Sequence, residues 1–200
     1  NNDINIKKAG FSIFGHPLKL SGTIKSNSDT DLKLVADKLS IKGLLAALGQ
    51  VSLLKENNVN GGTLSLNTSI KGKLSELKPV VKADVNSLDV LNKASNVKLL
   101  LSNAMIKLVC DKKSLTGDID VNSLVLKNPT ASVSVPKTRI VMDSKDVTIR
   151  NSYLLINNSR VDLTGRVKDY LTKNLNMNIK AKGNIAASDI AAFIPQNMRS

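Results

Sequence analysis

Tryptophan is absent from this sequence, and only two tyrosines and three phenylalanines stand among its 200 residues. Enzyme cores commonly take much of their packed volume from aromatic rings, and so few rings argue against one here. Cys110 is the only cysteine, which excludes an intramolecular disulfide and any CxxC metal or redox motif. His16, flanked by Gly15 and Pro17, is the only histidine. Without a second imidazole or a cysteine cluster it makes neither a metal site nor a member of a nucleophilic triad. Acidic residues are few and fall in turn-like or alternating segments, so no carboxylate pair stands out as acid–base machinery. Gly61-Gly62 precedes a strand-like run instead of a helix, which is the wrong context for a phosphate loop. The expectation is a protein that is not an enzyme and carries no cofactor. No apolar run approaches the 18 or so residues of a spanning helix.

The formal net charge is +13, yet no block of five or six basic residues occurs. Lysines stand singly between apolar neighbours, as in Leu18-Lys19-Leu20, Leu32-Lys33-Leu34 and Val97-Lys98-Leu99. Such spacing puts them on the wet side of strands, where they also blunt sheet edges. With too few aromatics to stack bases, the sequence does not read as a nucleic-acid binder. Diffuse attraction to anionic lipid headgroups suits the scattered charge better.

Period-two alternation is the dominant pattern. It runs through Leu18, Leu20 and Ile24, through Leu64, Leu66 and Ile70, and through Leu115 and Ile119. It returns at Val133 and Val135, at Val147 and Ile149, at Val161, Leu163 and Val167, and at Met177 and Ile179. Polar residues fill the alternate positions, so each strand has one apolar and one wet face. Turn-forming clusters separate the runs: Asn27-Ser28-Asp29, Asn57 to Gly62, Asp111-Lys112-Lys113, Asn128-Pro129, Asp143 to Asp146, and Asn157-Asn158-Ser159. The fold class expected is therefore all-β, an antiparallel meander of about a dozen strands. Two stretches depart from it. Ile41 to Lys55 has helical spacing at Leu44, Leu45, Leu48, Val51 and Leu54, with Ser40 as N-cap. Ser188 to Pro195 reads as a shorter helix stopped by the proline.

Four pentamers line up along the chain: Leu20-Ser-Gly-Thr-Ile24, Leu66-Asn-Thr-Ser-Ile70, Leu115-Thr-Gly-Asp-Ile119 and Leu163-Thr-Gly-Arg-Val167. Their starts are 46, 49 and 48 residues apart. This divides the chain into approximate repeats near 18–63, 64–112, 113–160 and 161–195, each with room for about four strands. A glycine returning at one strand level would bend the sheet similarly in each unit.

Two stretches carry a family resemblance. Pro17 to Lys25, Leu32 to Leu39 and the following Leu/Ala-rich helix resemble the repeat of AsmA-like and TamB-like bacterial envelope proteins. So do Asn151 to Ser159, Val161 to Leu171, Leu175 to Gly183 and Ser188 to Pro195. The resemblance implies one repeat segment, 1–200, of a longer chain, with its sheet curled into a U-shaped groove. It further implies location in the bacterial periplasm and an inner-membrane anchor outside these residues. The implied role is shielding phospholipid or other acyl lipid during intermembrane transport and outer-membrane homeostasis, with envelope proteins as further partners.

The residues reach an apolar groove by their own route, because a sheet with one apolar face must cover it and too few helices are present to do so. The expected lining is Leu18, Leu20, Ile24, Leu64, Leu66, Ile70, Leu115, Ile119, Val133, Val135, Val147, Ile149, Val161, Leu163, Val167, Met177 and Ile179. The alternative is a structural or adhesive β-solenoid of the envelope, with the same face sealed inside.

Overall fold

The computed structural model describes residues 3–191 except 14, 113, 173 and 174. Eleven strands form one antiparallel sheet in strict chain order. They are β1 (Ile4–Ile13), β2 (His16–Ile24), β3 (Asp29–Ser40), β4 (Asn57–Lys73), β5 (Lys78–Asn92), β6 (Lys98–Asp111), β7 (Ser114–Lys127), β8 (Ser132–Met142), β9 (Asp146–Ile156), β10 (Ser159–Lys168) and β11 (Asn176–Gly183). The alternation, the single apolar face and the meander expected from sequence are all present. Among the described residues the outermost strands β1 and β11 each pair on one side only, and the eleven strands do not close into a barrel.

Turn chemistry explains the strict order. Ser28 takes a left-handed φ of 71° while Asn27 Oδ1 accepts from the Asp29 amide, which turns β2 into β3. Asn128 Oδ1 accepts from the amides of Thr130 and Ala131, and Asp143 Oδ1 accepts from those of Lys145 and Asp146. These Asx-type contacts let short polar segments reverse the chain without a glycine at every turn. One expected turn is instead strand: Asn57 to Gly62 forms the first part of β4. Its glycines serve as bulges, since the β4–β5 register slips on both sides of Gly61.

The long helical stretch is two helices, α1 (Ile41–Ala47) and α2 (Val51–Glu56). Ser40 caps α1 as expected, its Oγ accepting from the Gly43 amide at 3.2 Å. Gly49, with φ at 70°, breaks the run before α2. The closing helix α3 spans Ala187–Ala191, and Phe193 to Pro195 lie outside the described residues. Asp189 of α3 is buried, its carboxylate accepting from Ser159 Oγ at 2.6 Å. The same hydroxyl accepts from the Ala186 amide, and this three-way contact ties α3 to the β9–β10 hairpin.

The core is small. Leu18, Ala36 and Leu39 form its buried centre, with Leu34, Leu64 and Leu66 packed around them where α1 lies against β3 and β4. Among the described residues no large side chain is fully enclosed. The accessible surface is 12879 Å² for 21.5 kDa, whereas a compact monomer of that mass would expose roughly 9,200 Å². The excess is what one uncovered layer predicts.

The repeat pentamers fall in β2, β4, β7 and β10, two and then three strands apart, in place of four. In an antiparallel meander β7 therefore runs opposite to the other three. Nor do the glycines share a level: Gly22 pairs with Leu32, Gly117 with Leu108 and Gly165 with Ile149, on three successive rungs. Only Gly22 and Gly117 take positive φ, at 131° and 145°.

A Cβ on Gly117 would stand 1.9 Å from the Lys107 carbonyl oxygen, a backbone atom that cannot step aside. Gly117→Ala is expected to destabilise the fold by about 2 kcal/mol or more, through strained φ and strand separation together. Gly10, with nothing within 4 Å of its virtual Cβ, should accept alanine within about 0.5 kcal/mol. Chemical-denaturation midpoints of the two variants check this.

Candidate functional site

Residues directly opposite each other on neighbouring strands share a face, so the pairing register maps each side chain. One rung runs Phe11, Leu18, Ala36, Leu66, Ala83, Ile106, Ile119, Ile140, Ile149, Gly165, Ile179. It contributes one residue from each of the eleven strands, and none is polar. The adjacent rung runs Ala9, Leu20, Leu34, Thr68, Val81, Leu108, Gly117, Met142, Val147, Val167, Met177. Thr68 is its only polar member. Together they make a continuous apolar band across the full width of the sheet.

The seventeen residues singled out from sequence all lie on this face. Leu18, Leu66, Ile119, Ile149 and Ile179 belong to the first rung, and Leu20, Val147, Val167 and Met177 to the second. Ile24, Ile70 and Leu115 extend the face beyond the second rung, while Leu64, Val161 and Leu163 extend it beyond the first. Val133 and Val135 reach it by a less regular path. Val133 pairs with Ile156 and Ile156 with Ser159, two residues before Val161 in the same strand, which returns Val133 to the apolar side. The sequence keeps this side apolar although the count of residues between rungs turns odd. Gly62, Ser87 and Ser123, all with positive φ, sit at the level where the phase changes in β4, β5 and β7. Such irregularities bend and twist a strand.

Most of the band is half-buried by its own neighbours, and it is most exposed at β11, where Met177 and Ile179 are 62% and 46% accessible. Apolar members missed by sequence reading are Ala9, Phe11, Leu34, Ala36, Val81, Ala83, Ile106, Leu108, Ile140 and Met142. In β5 and β6 the doublets and triplets Val80-Val81 and Leu99-Leu100-Leu101 hide the alternation. The spacing Ala104, Ile106, Leu108 was the signal available.

The opposite face is polar and carries several cross-strand contacts. Lys71 meets Asp31 at 2.9 Å, Lys98 meets Asp89 at 2.9 Å, and Arg139 lies between Asp118 and Asp120. Asn86, Asn103 and Asn122 link three strands through side-chain amides at 2.9 and 3.2 Å. The largest depression described, about 850 Å³, also lies on this side, over β9, β10 and β11. Among the described residues no group of three His, Cys, Asp or Glu side chains converges to hold a metal ion, and no helix is long and apolar enough to cross a membrane.

Three carboxyls are held below their ordinary value of 3.8. Lys98 does this for Asp89 through a side-chain hydrogen bond, the Lys112 amide for Asp111, and the Lys145 and Asp146 amides for Asp143. The Tyr170 phenol moves the other way, up from 10.0, through burial and the nearby Asp143 charge, which keeps it protonated to donate to the Leu115 carbonyl at 2.5 Å. A depressed carboxyl gives stability that is complete above the unfolded value and is lost as pH falls through the folded one. The thermal midpoint should therefore hold steady from neutrality to about pH 5 and drop as pH passes below about 4. Asp143→Asn should reduce the drop, as followed by circular dichroism at stepped pH.

No protein-family model, no curated protein and no solved structure matches this chain.

Proposed function

We propose that this protein shelters the acyl chains of phospholipid or a similar lipid on its apolar sheet face. The single observation that carries the reading is the pair of apolar rungs crossing all eleven strands with, among the described residues, no second layer over them beyond α1 at β3 and β4. A face of this kind in water is costly unless something covers it. Acyl chains suit it because they need apolar area and no hydrogen bonds. About 0.8 kcal/mol accompanies burial of each methylene. A dozen methylenes covered on one side thus gain on the order of 5 kcal/mol, enough to hold a chain while letting it slide.

In this proposal the sheet curls about its apolar side as a groove, helped by the register slips of β4 against β5 around Gly61 and by the left-handed Ser87 and Ser123. It acts as one segment of an AsmA-like or TamB-like envelope protein of the bacterial periplasm, anchored to the inner membrane through regions outside these residues. Lipid movement between membranes and outer-membrane homeostasis would be its contribution, and neighbouring envelope proteins its partners. The scarcity of enclosed side chains favours this over a sealed structural or adhesive solenoid, whose interior would hold fully buried Leu, Ile and Val.

Native mass spectrometry with lipid extraction, on protein purified from a bacterial host, tests the reading. Co-purified phospholipid is expected. A paired Ile119→Asp, Ile149→Asp variant, placed mid-rung away from the Leu18–Ala36–Leu39 core, should lose most of it while keeping the wild-type circular dichroism. Lipid-free, folded wild-type protein would instead assign the face to a purely structural role.

A further inference from the structure

We propose that the polar face of β9, β10 and β11 is a binding site for phosphate-bearing anions. It lies on the opposite side of the sheet from the apolar band and does not depend on the acyl-chain reading.

The depression there is lined by Arg150, Arg166, Lys168 and Lys180, and by no Asp or Glu. Adjacent strands lie about 4.8 Å apart and alternate residues about 6.6 Å apart, so four cationic side chains share a patch a few strands wide. The register places Arg166 between Thr148 and Asn178, which adds a hydroxyl and an amide beside the guanidinium. Asp146 sits just outside. It is largely buried and holds Arg166 through both Nε and Nη2. That contact fixes the orientation of the guanidinium and neutralises one charge of the four. Among the described residues Arg150, Lys168 and Lys180 have no ion-pair partner.

Cations also face each other elsewhere on this side, as Lys82 faces Lys107 and Lys98 faces Lys127, but carboxylates stand among them: Asp84 and Asp118 line the depression at Lys82 and Lys107, and Lys98 meets Asp89. Over β9 to β11 the lining holds none. Arg150 is directly opposite Arg139, whose own guanidinium is turned to Asp118 and Asp120. Asp146, opposite Lys168 at the margin, is engaged by Arg166. Like charges directly opposite across strands are destabilising, and a bound anion would offset that cost. Planar guanidinium forks and ammonium point charges, with a hydroxyl and amides between them, are the donors that phosphate oxygens take. The width of the patch suits a ligand with more than one phosphate, or several headgroups at a membrane surface.

Isothermal titration with inorganic tripolyphosphate at low salt, and co-sedimentation with phosphatidylcholine vesicles with and without phosphatidylglycerol, test the site. The site variant is Arg150→Gln, Lys168→Gln, Lys180→Gln. Its control removes equal charge from the same face over β2, β3 and β5, as Lys19→Gln, Lys33→Gln, Lys82→Gln. The site variant should weaken binding at least tenfold and the control less than twofold. Loss confined to vesicles identifies a headgroup as the source of the phosphate, and loss of saturable tripolyphosphate binding identifies a free anion. Equal losses in the two variants, or no saturable binding in either assay, would overturn the proposal by reducing it to diffuse charge. Should the triple variant unfold, Lys180→Gln alone, on the exposed edge strand, carries the comparison with a threefold loss expected.

Discussion

Main-chain hydrogen bonding between consecutive antiparallel strands organises this molecule, and little else is available to do so. A packed domain can lose one contact and lean on its core, whereas here the buried apolar centre is Leu18, Ala36 and Leu39 with three half-buried neighbours. Each interior strand is held by the strand before it and the strand after it. That makes the backbone's freedom to approach its neighbour the limiting quantity. It explains why Gly22 and Gly117, whose virtual Cβ atoms would stand 2.0 and 1.9 Å from a facing carbonyl oxygen, matter more than their small size suggests.

A ladder of this kind leaves two consequences, both visible in the side chains. Among the described residues its ends stay open, so β1 and β11 present unpaired backbone, which natural sheets protect with charge. Lys7 and Lys8 stand at the bulge of β1, and Lys180 and Lys182 along β11. Its faces also stay open, so whatever covers the apolar one must come from outside the described residues. The polar face needs no cover, because its side chains are hydrated and part of them pair with each other, through Lys–Asp contacts and the Asn86–Asn103–Asn122 amide chain.

Much of the arrangement was legible in the sequence because period two is read directly from residue order. The seventeen expected positions fall on one face for that reason, and the hairpin turns followed from Asn, Asp and Ser clusters with a known mechanism. Legibility failed where a residue's meaning depended on its partner. Gly61 and Gly62 look like turn residues until the register of β4 against β5 shows them absorbing a slip. The phase change at Ser87 and Ser123 is invisible without the facing strands, since serine carries no signal for positive φ. The pentamer spacing also suggested a uniform repeat. The structure sets the signatures two and then three strands apart, because α1 and α2 occupy the length that a further strand would have used. The basic depression of β9 to β11 escaped notice because Arg150, the Arg166–Lys168 pair and Lys180 lie on three different strands and come together only in register.

The two faces then divide the work that recognition requires. Apolar rungs without hydrogen-bonding groups tell one acyl chain from another only by length and shape, since each methylene contributes alike. Selectivity has to come from polar groups, and near one edge Arg150, Arg166, Lys168 and Lys180 share a depression with no carboxylate in its lining. That edge is also where the apolar band is most exposed, at Met177 and Ile179, and β11 is accessible along its whole length. Uncompensated charge on one side and uncovered apolar surface on the other make β11 the least satisfied strand of the sheet. By the same energetics it gains most from a partner, because covering it removes apolar area from water and neutralises unpaired cations at once.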